Sequence, residues 1–436
     1  DPAVLTTQYT TLSPTLAVSN DPGNTFTWTR SFVAYTGDIT YTLQYDSSGK
    51  NFAAPRDFAV GVNRLNVTLT NFEMNETALN KGVAGGTPGR IEYRVKAVTA
   101  QGATSYSNTV NVLINTYVPI LRFYMPGGYQ SATGNGNNWD PGTAPELIRD
   151  VRPEAMNKLY YIYLYLPANS EFKVTQGRDW AINYGGTNNN LAQNGANFAV
   201  STAGVYRISI DRANMKYDIR EGRMGFVGGA TGANWSPSAS FPNYALGHPE
   251  KNLFVGLTNL NSAGGWKLID FNDWNNGDIT AFNARSYGST GGSGSTMQVN
   301  GANMPDVTAT GRYRVIWDGR DVNNIKYEIY PAAEMRVVGD GITGVAAWNP
   351  GASPQMTYQG NGVWTIRIAL DANKDIKFLA GNAWGAFDYE DASGGSQSVG
   401  TPRRMKWDGG PNFKTPTTAG TYTITLNENL QTVTIN

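Results

Sequence analysis

The feature that most narrows what this chain can fold into is a spacing used three times: a lysine behind a hydrophobic residue, with a tryptophan seven positions later. It reads EFKVTQGRDW at 171–180, GWKLIDFNDW at 265–274 and DIKFLAGNAW at 375–384, setting Lys173, Lys267 and Lys377 ahead of Trp180, Trp274 and Trp384. Other signals recur around each copy in a constant order. A loop tryptophan followed closely by proline comes first: NNWDP with Trp139, ANWSP with Trp235, AAWNP with Trp348. An alternating strand precedes each lysine: KLYYIYLYL, KNLFVGLTNL, GVWTIRIAL. A turn and closing hairpin follow, with Tyr206, Tyr313 and Tyr422 at matching places, and then one last strand, MKYDIR, IKYEIY or QTVTIN. A repeat of about a hundred residues is the size of a sandwich domain and too long for a solenoid turn. The implied domains are 117–220, 221–331 and 332–436, three sister sandwiches whose shared residues are candidates for a site.

Residues 1–116 lie outside the repeat and read as an immunoglobulin-like or fibronectin-like sandwich, a spacer. Ile91, Tyr93, Val95 and Ala97 alternate before a Gln-Gly turn, and Val110, Val112 and Ile114 alternate after it. Trp28, in FTWTR, is expected in the core. With 50 glycines, 24 tyrosines and short β-branched or aromatic strings between Gly, Asn, Asp and Pro clusters, the whole chain reads as all-β, a row of tandem β-sandwiches. Its 34 basic and 34 acidic residues balance, which argues against nucleic acid or an anionic membrane surface as partner. The absence of cysteine removes disulfides and thiolate metal sites. No apolar run is long enough to span a bilayer, and the sequence opens at Asp1 without a basic, apolar signal region, so any export signal or lipid anchor is expected outside it.

Large aromatics in Gly/Asn/Pro loops are normally poorly buried. A sugar ring has an apolar face and a hydroxyl rim, so gripping it takes flat aromatic surfaces with a few donors and acceptors at the edge. Trp, Lys and Asn supply that set. Lys267 and Trp274 are separated by an odd count and would face opposite sides of one unbroken strand. The intervening QGRD, DFND and AGNA therefore read as turns that bring the indole back over the lysine tip. Capping of the sandwich ends by the tryptophans, with a merely solvated lysine head, is the structural alternative. Trp266, Trp317 and Trp364 occupy strand or strand-flanking positions and are expected in the core, whereas Trp407 has no counterpart in the sister repeats and is left open.

The order of an immunoglobulin-like domain and then sandwiches carrying NW-proline, FK-x6-W and GAN-x-x-V-x-x-AG-x-Y motifs resembles the SusE/SusF family of surface glycan-binding lipoproteins of Gram-negative polysaccharide degraders. The repeat is also similar to the starch-binding domains of amylases. The resemblance covers the whole chain, with the repeats more specific than the first domain. Carried over residue by residue, it implies platforms of Trp139, Trp180 and Lys173, of Trp235, Trp274 and Lys267, and of Trp348, Trp384 and Lys377, with Asn183, Asn276 and Asp388 as polar helpers. It further implies an α-glucan ligand, attachment to the cell-surface side of an outer membrane through a lipid anchor missing from this chain, a possible outer-membrane transporter complex, and a monomer. The first repeat has a longer loop after its NW motif and the third carries DYED, which implies unequal affinities.

Enzymatic alternatives are weakly supported. Glycoside hydrolysis needs two carboxylates across a cleft. The best pairs, Asp270 with Asp273 and Asp388 with Glu390, are not repeated and read as solvated loop charges. The single histidine, His248, has no nucleophile-elbow sequence to serve. DYED lacks the spacing of a calcium loop, so no metal and no cofactor is expected. The rival readings are the same architecture on another polysaccharide, or an adhesin or stalk that uses the repeats as spacers.

Overall fold

A computed structural model describes residues 1–152, 155–240, the backbone of 244–245, 251–271, 274, 285–407 and 409–436. The chain forms two compact units, Asp1–Ile120 and Leu121–Asn436.

In the first unit a three-stranded sheet of Leu5–Thr7, Pro22–Trp28 and Asn66–Thr70 faces a larger sheet built on Pro88–Thr99 between Ile39–Ser47 and Val110–Asn115. The alternation read from sequence appears as register: Ile91 lies opposite Val112, while Tyr41 and Leu43 lie opposite Ala97 and Val95. All of these are buried with Trp28 and Phe26. One element departs from the all-strand reading. Asn71–Leu79 is an α-helix, opened by a capping box in which the Thr70 hydroxyl accepts from the Glu73 amide and the Glu73 carboxylate accepts from the Thr70 amide. Its Met74 and Ala78 join the core.

In the second unit each repeat contributes one long antiparallel ribbon. The ribbons are Leu159–Leu166, Gly204–Asp211 and Lys216–Glu221; then Leu253–Leu260, Gly311–Asp318 and Lys326–Pro331; then Val363–Leu370, Gly420–Asn427 and Thr432–Ile435. The lysine strands, beginning near Lys173, Lys267 and Lys377, pair on one side with Phe123–Tyr124, Gly225–Val227 and Arg336–Gly339. The matched tyrosines are tyrosine corners: the hydroxyls of Tyr206, Tyr313 and Tyr422 donate to the carbonyls of Thr202, Ala309 and Thr418, four residues back, at 2.7, 2.7 and 2.8 Å. Trp266, Trp317 and Trp364 are buried as expected, and Trp407 joins them.

The apolar clusters do not stop at repeat limits. Ile148, Tyr161 and Tyr163 pack with Phe254, Tyr287 and Trp317 of the second repeat. Leu253, Val255 and Ile316 pack with Trp364 and Phe387 of the third. Asn252 also exchanges hydrogen bonds with the Tyr163 backbone, at 2.8 and 2.9 Å. One face of each of the first two ribbons is therefore a docking face for the next repeat.

Candidate functional site

The loop tryptophans are held by backbone geometry that a bulky side chain rarely adopts. Trp139 and Trp348 have φ of 58° and 54°, in the left-handed region, where a non-glycine residue stores strain of about 1–3 kcal/mol. In each case the indole residue's own amide donates to a glycine carbonyl, that of Gly127 at 3.0 Å or Gly339 at 3.2 Å. Those glycines allow the lysine strand to come close: a Cβ on Gly339 would lie 2.0 Å from the Asp375 carbonyl oxygen, and one on Gly127 2.6 Å from that of Glu171. In the second repeat the left-handed residue is Asn234, with φ of 47°, a residue type that tolerates it, and Trp235 follows. Two of the three W-x-P prolines have a local reason. Pro237 and Pro350 start single turns of 3-10 helix, and the Asn349 side chain caps the latter.

The second tryptophan returns on a short loop closed at its base by a backbone hydrogen bond, from Gln176 to Ile182, Asp270 to Arg285 or Ala380 to Phe387. The loop brings Trp180 to 6.4 Å from Trp139 between ring centroids with a 34° tilt, and Trp274 to 6.3 Å from Trp235 with a 36° tilt. Among the described residues the third pair, Trp348 and Trp384, makes no ring contact; instead the Lys377 ammonium lies 5.6 Å from the Trp384 ring centre. The exposed members are Trp180, Trp235 and Trp384, at 40%, 42% and 53%. Trp139, Trp274 and Trp348 are half-buried.

Each lysine is anchored differently. Lys173 Nζ donates to Asn183 Oδ1 at 2.8 Å, and Asn183 Nδ2 donates to the Trp180 carbonyl at 3.2 Å and to Asn194 Oδ1 at 2.8 Å, tying lysine, loop and the NGAN turn together. Lys267 Nζ donates to the Gly301 carbonyl of the sister NGAN turn, and burial pulls its pKa below the ordinary lysine value. Lys377 Nζ is paired with Asp388 and Glu390. Burial opposes its charge, but the hydrogen bonds to these carboxylates and their negative charge override that, so its pKa is held above the ordinary value.

Asn276, with Asp273 and His248, lies outside the described residues. The strand position that Asn183 and Asp388 occupy, opposite Thr175 and Leu379, is held in the second repeat by Ser286, opposite Ile269. The greater sequence distance from Trp274 to Ser286 hid that correspondence from spacing alone. Asn194, Glu390 and the glycines behind the loop tryptophans were also missed; Gly127 and Gly339 stand at unequal distances from their tryptophans, so no fixed motif marks them. One expectation is corrected. Asp270 is not a solvated loop charge: it is fully buried, accepting from Arg207 at 2.8 Å and from the Tyr163 hydroxyl at 2.6 Å. Asp388 and Glu390 are likewise engaged by Lys377 and are not free in solvent.

A cleft of about 300 Å³ adjoins the first platform, lined by Trp139, Tyr129, Pro167, Asn169, Ser170 and Glu171. Solvent-facing indoles beside anchored lysines, carried on tandem β-sandwiches, are surfaces of the kind that stack on sugar rings.

Comparison with known proteins agrees. Residues 1–96 match the model of the SusE outer membrane protein family, and residues 122–207 match that of the pullulanase X25 domain. An amylopullulanase of Thermoanaerobacterium saccharolyticum is 30% identical over 169 residues, 37% of this chain and 12% of that enzyme. One of Thermoanaerobacter thermohydrosulfuricus is 30% identical over 152 residues, 33% of this chain and 10% of the enzyme. The chain thus spans about a tenth of the length of these curated relatives. The crystal structure of SusF from Bacteroides thetaiotaomicron aligns over 100% of both chains at 15% identity, with a TM-score of 0.26, too loose to bear on the fold. The family likeness thus lies in two stretches, a SusE-type match over residues 1–96 and an X25-type match over residues 122–207.

Proposed function

We propose that this chain is a non-catalytic, multivalent glycan-capture protein, with α-glucan as ligand and Trp139/Trp180/Lys173, Trp235/Trp274/Lys267 and Trp348/Trp384/Lys377 as its three platforms. The observation that carries this reading is the recurrence of one tilted indole pair, at 6.4 Å and 34° and again at 6.3 Å and 36°, on loops whose lengths differ. Two flat faces set at about a third of a right angle fit consecutive sugars of a curved chain better than those of a flat one. The lysine and the side chain beside it supply hydrogen bonds at the rim. The match of residues 122–207 to a pullulanase X25 domain supports a starch-type ligand. The SusE match supports a lipid-anchored protein on the cell-surface side of an outer membrane, working beside a transporter, and we take it to act as a monomer. No helix among the described residues is long and apolar enough to cross a membrane. Another polysaccharide on the same platforms is the second reading, favoured by the distinct third site.

Single platforms leave most of a ligand solvated and are weak, whereas three on one chain raise the effective concentration of later contacts once the first is made. Native electrophoresis in gels containing starch or other polysaccharides tests this. The triple variant Trp180→Ala, Trp274→Ala, Trp384→Ala, folded by circular dichroism, is expected to migrate almost as in an empty gel. Undiminished retention would return these tryptophans to a structural role.

A further inference from the structure

Two arginines occupy the same strand position in successive repeats, immediately after the corner tyrosine: Arg207 after Tyr206 and Arg314 after Tyr313. The third repeat has Thr423 there. Both guanidinium groups are completely buried, an arrangement sustained only by a paired, hydrogen-bonded partner. In both cases the closest partner comes from the following repeat, although Asp218 of the same repeat also lies 3.6 Å from Arg207. Arg207 pairs with Asp270 at 2.8 Å. Arg314 grips both oxygens of Glu428, at 2.5 and 2.7 Å, and Glu428 also accepts from Trp364 Nε1 and the Tyr389 hydroxyl, each at 2.8 Å.

The two arginines also meet the next repeat at the base of its tryptophan loop. Asp270 is itself one member of the base pair Asp270–Arg285. Its neighbour Phe271 lies under the guanidinium groups of Arg220 and Arg207, at 4.5 and 5.8 Å, and packs with Trp274 on Val227 and Ile269. In the third repeat the base pair is Ala380–Phe387. The Phe387 ring lies 4.4 Å from the Arg314 guanidinium and 5.1 Å from the ring of Tyr330, another second-repeat residue. In the second repeat the contacts run from Arg207 and Arg220 through Phe271 to the patch on which Trp274 packs, and in the third they reach Phe387 at the base of the loop that carries Trp384.

The geometry points to Arg207 and Arg314 as positioning residues for the platform of the repeat that follows, so that the second and third platforms are each the product of two repeats. This rests on the platform reading above. Its consequence is that the loop presenting Trp384 is ordered by a side chain that no glycan would touch.

The test uses the full chain. Arg314→Met alone would leave Glu428 buried and charged without its partner, so it is combined with Glu428→Gln, which keeps an acceptor for Trp364 and Tyr389. Tyr330→Ala, at a half-buried position, is the second variant. Amide hydrogen exchange reports the loop without any ligand. Residues 380–388 are expected to exchange about tenfold faster in both variants, with the strand Gly420–Asn427 unchanged. Binding of maltoheptaose, measured by calorimetry with Trp180 and Trp274 both changed to Ala so that only the third platform reports, is expected to weaken about three- to tenfold. Unchanged exchange across 380–388 in the folded variants, or an equal rise across 420–427, overturns the inference. So does a loosened loop with undiminished affinity. If the parent with a single intact platform binds no oligosaccharide, the glycan reading fails, and exchange alone decides whether the loop depends on its neighbour.

Discussion

The first two platforms and the third use one sequence spacing to build different surfaces. In the first two, the indoles lie side by side with tilts of 34° and 36°, and the lysine donates to neutral acceptors, Asn183 or the Gly301 carbonyl. In the third, Trp384 stands apart from Trp348 with Lys377 beneath it, and that ammonium is compensated by Asp388 and Glu390. Beside its lysine the third proposed site thus carries carboxylate oxygens, which are hydrogen-bond acceptors, where the first carries an amide. The spacing sets where the strand turns back; the residues after the turn set what the site presents.

The sharpest way to break this contrast is to remove one indole from each kind of platform. Trp274→Ala and Trp384→Ala are each expected to cost about 1–3 kcal/mol of short-oligosaccharide binding at their own site. Only the former should also lower the melting temperature, because Trp274 Nε1 donates to the Trp235 carbonyl at 3.1 Å and its ring packs on Val227 and Ile269. Calorimetry with a thermal melt of each variant decides it. Equal melting temperatures would mean that the two loops are built alike.

Removing the lysines gives the next largest effect. Lys377→Met leaves Asp388 and Glu390 without their cation and is expected to lose about 1–3 kcal/mol of stability, against about 1 kcal/mol for Lys173→Met, which strands only the Asn183 carbonyl oxygen. Urea midpoints of the two variants check the order. Finally, the lysines should respond oppositely to alkali. Lys377, with a raised pKa, contributes stability that is fully present below the unfolded value of about 10.4 and is lost as pH rises through the folded value. Lys267, with a lowered pKa, carries a burial cost that is relieved between its folded value and the unfolded one. As pH rises toward the unfolded lysine value of about 10.4, the parent's standing against Lys267→Met should improve, and above that value its advantage over Lys377→Met should shrink. Parallel shifts in the two comparisons would show that the lysine environments do not differ.

Much of the architecture was legible because strand and turn grammar is local. The period-two alternation of Ile91 to Ala97 became a register, Trp28, Trp266, Trp317 and Trp364 went to the core, and the threefold tyrosine became a corner that closes on a carbonyl four residues away. The helix Asn71–Leu79 was missed although its capping box, TNFE, was in view, because its apolar positions are too few to show a helical period. Asp270 was misread for a different reason. Its partners, Tyr163 and Arg207, are 107 and 63 residues away, and nothing in the string DFND records a contact made across a repeat junction.

By itself the sequence determined that one strand-and-turn pattern recurs three times, and which indoles sit in loops; these follow from side-chain alternation and turn chemistry within a few residues. Only the tertiary structure decided which indoles touch, what neutralises each lysine, and that the repeats dock through buried arginines. Those outcomes depend on which groups meet once water has been excluded, where a charge must find a partner and an indole must find a surface, and both can come from residues far away in the chain.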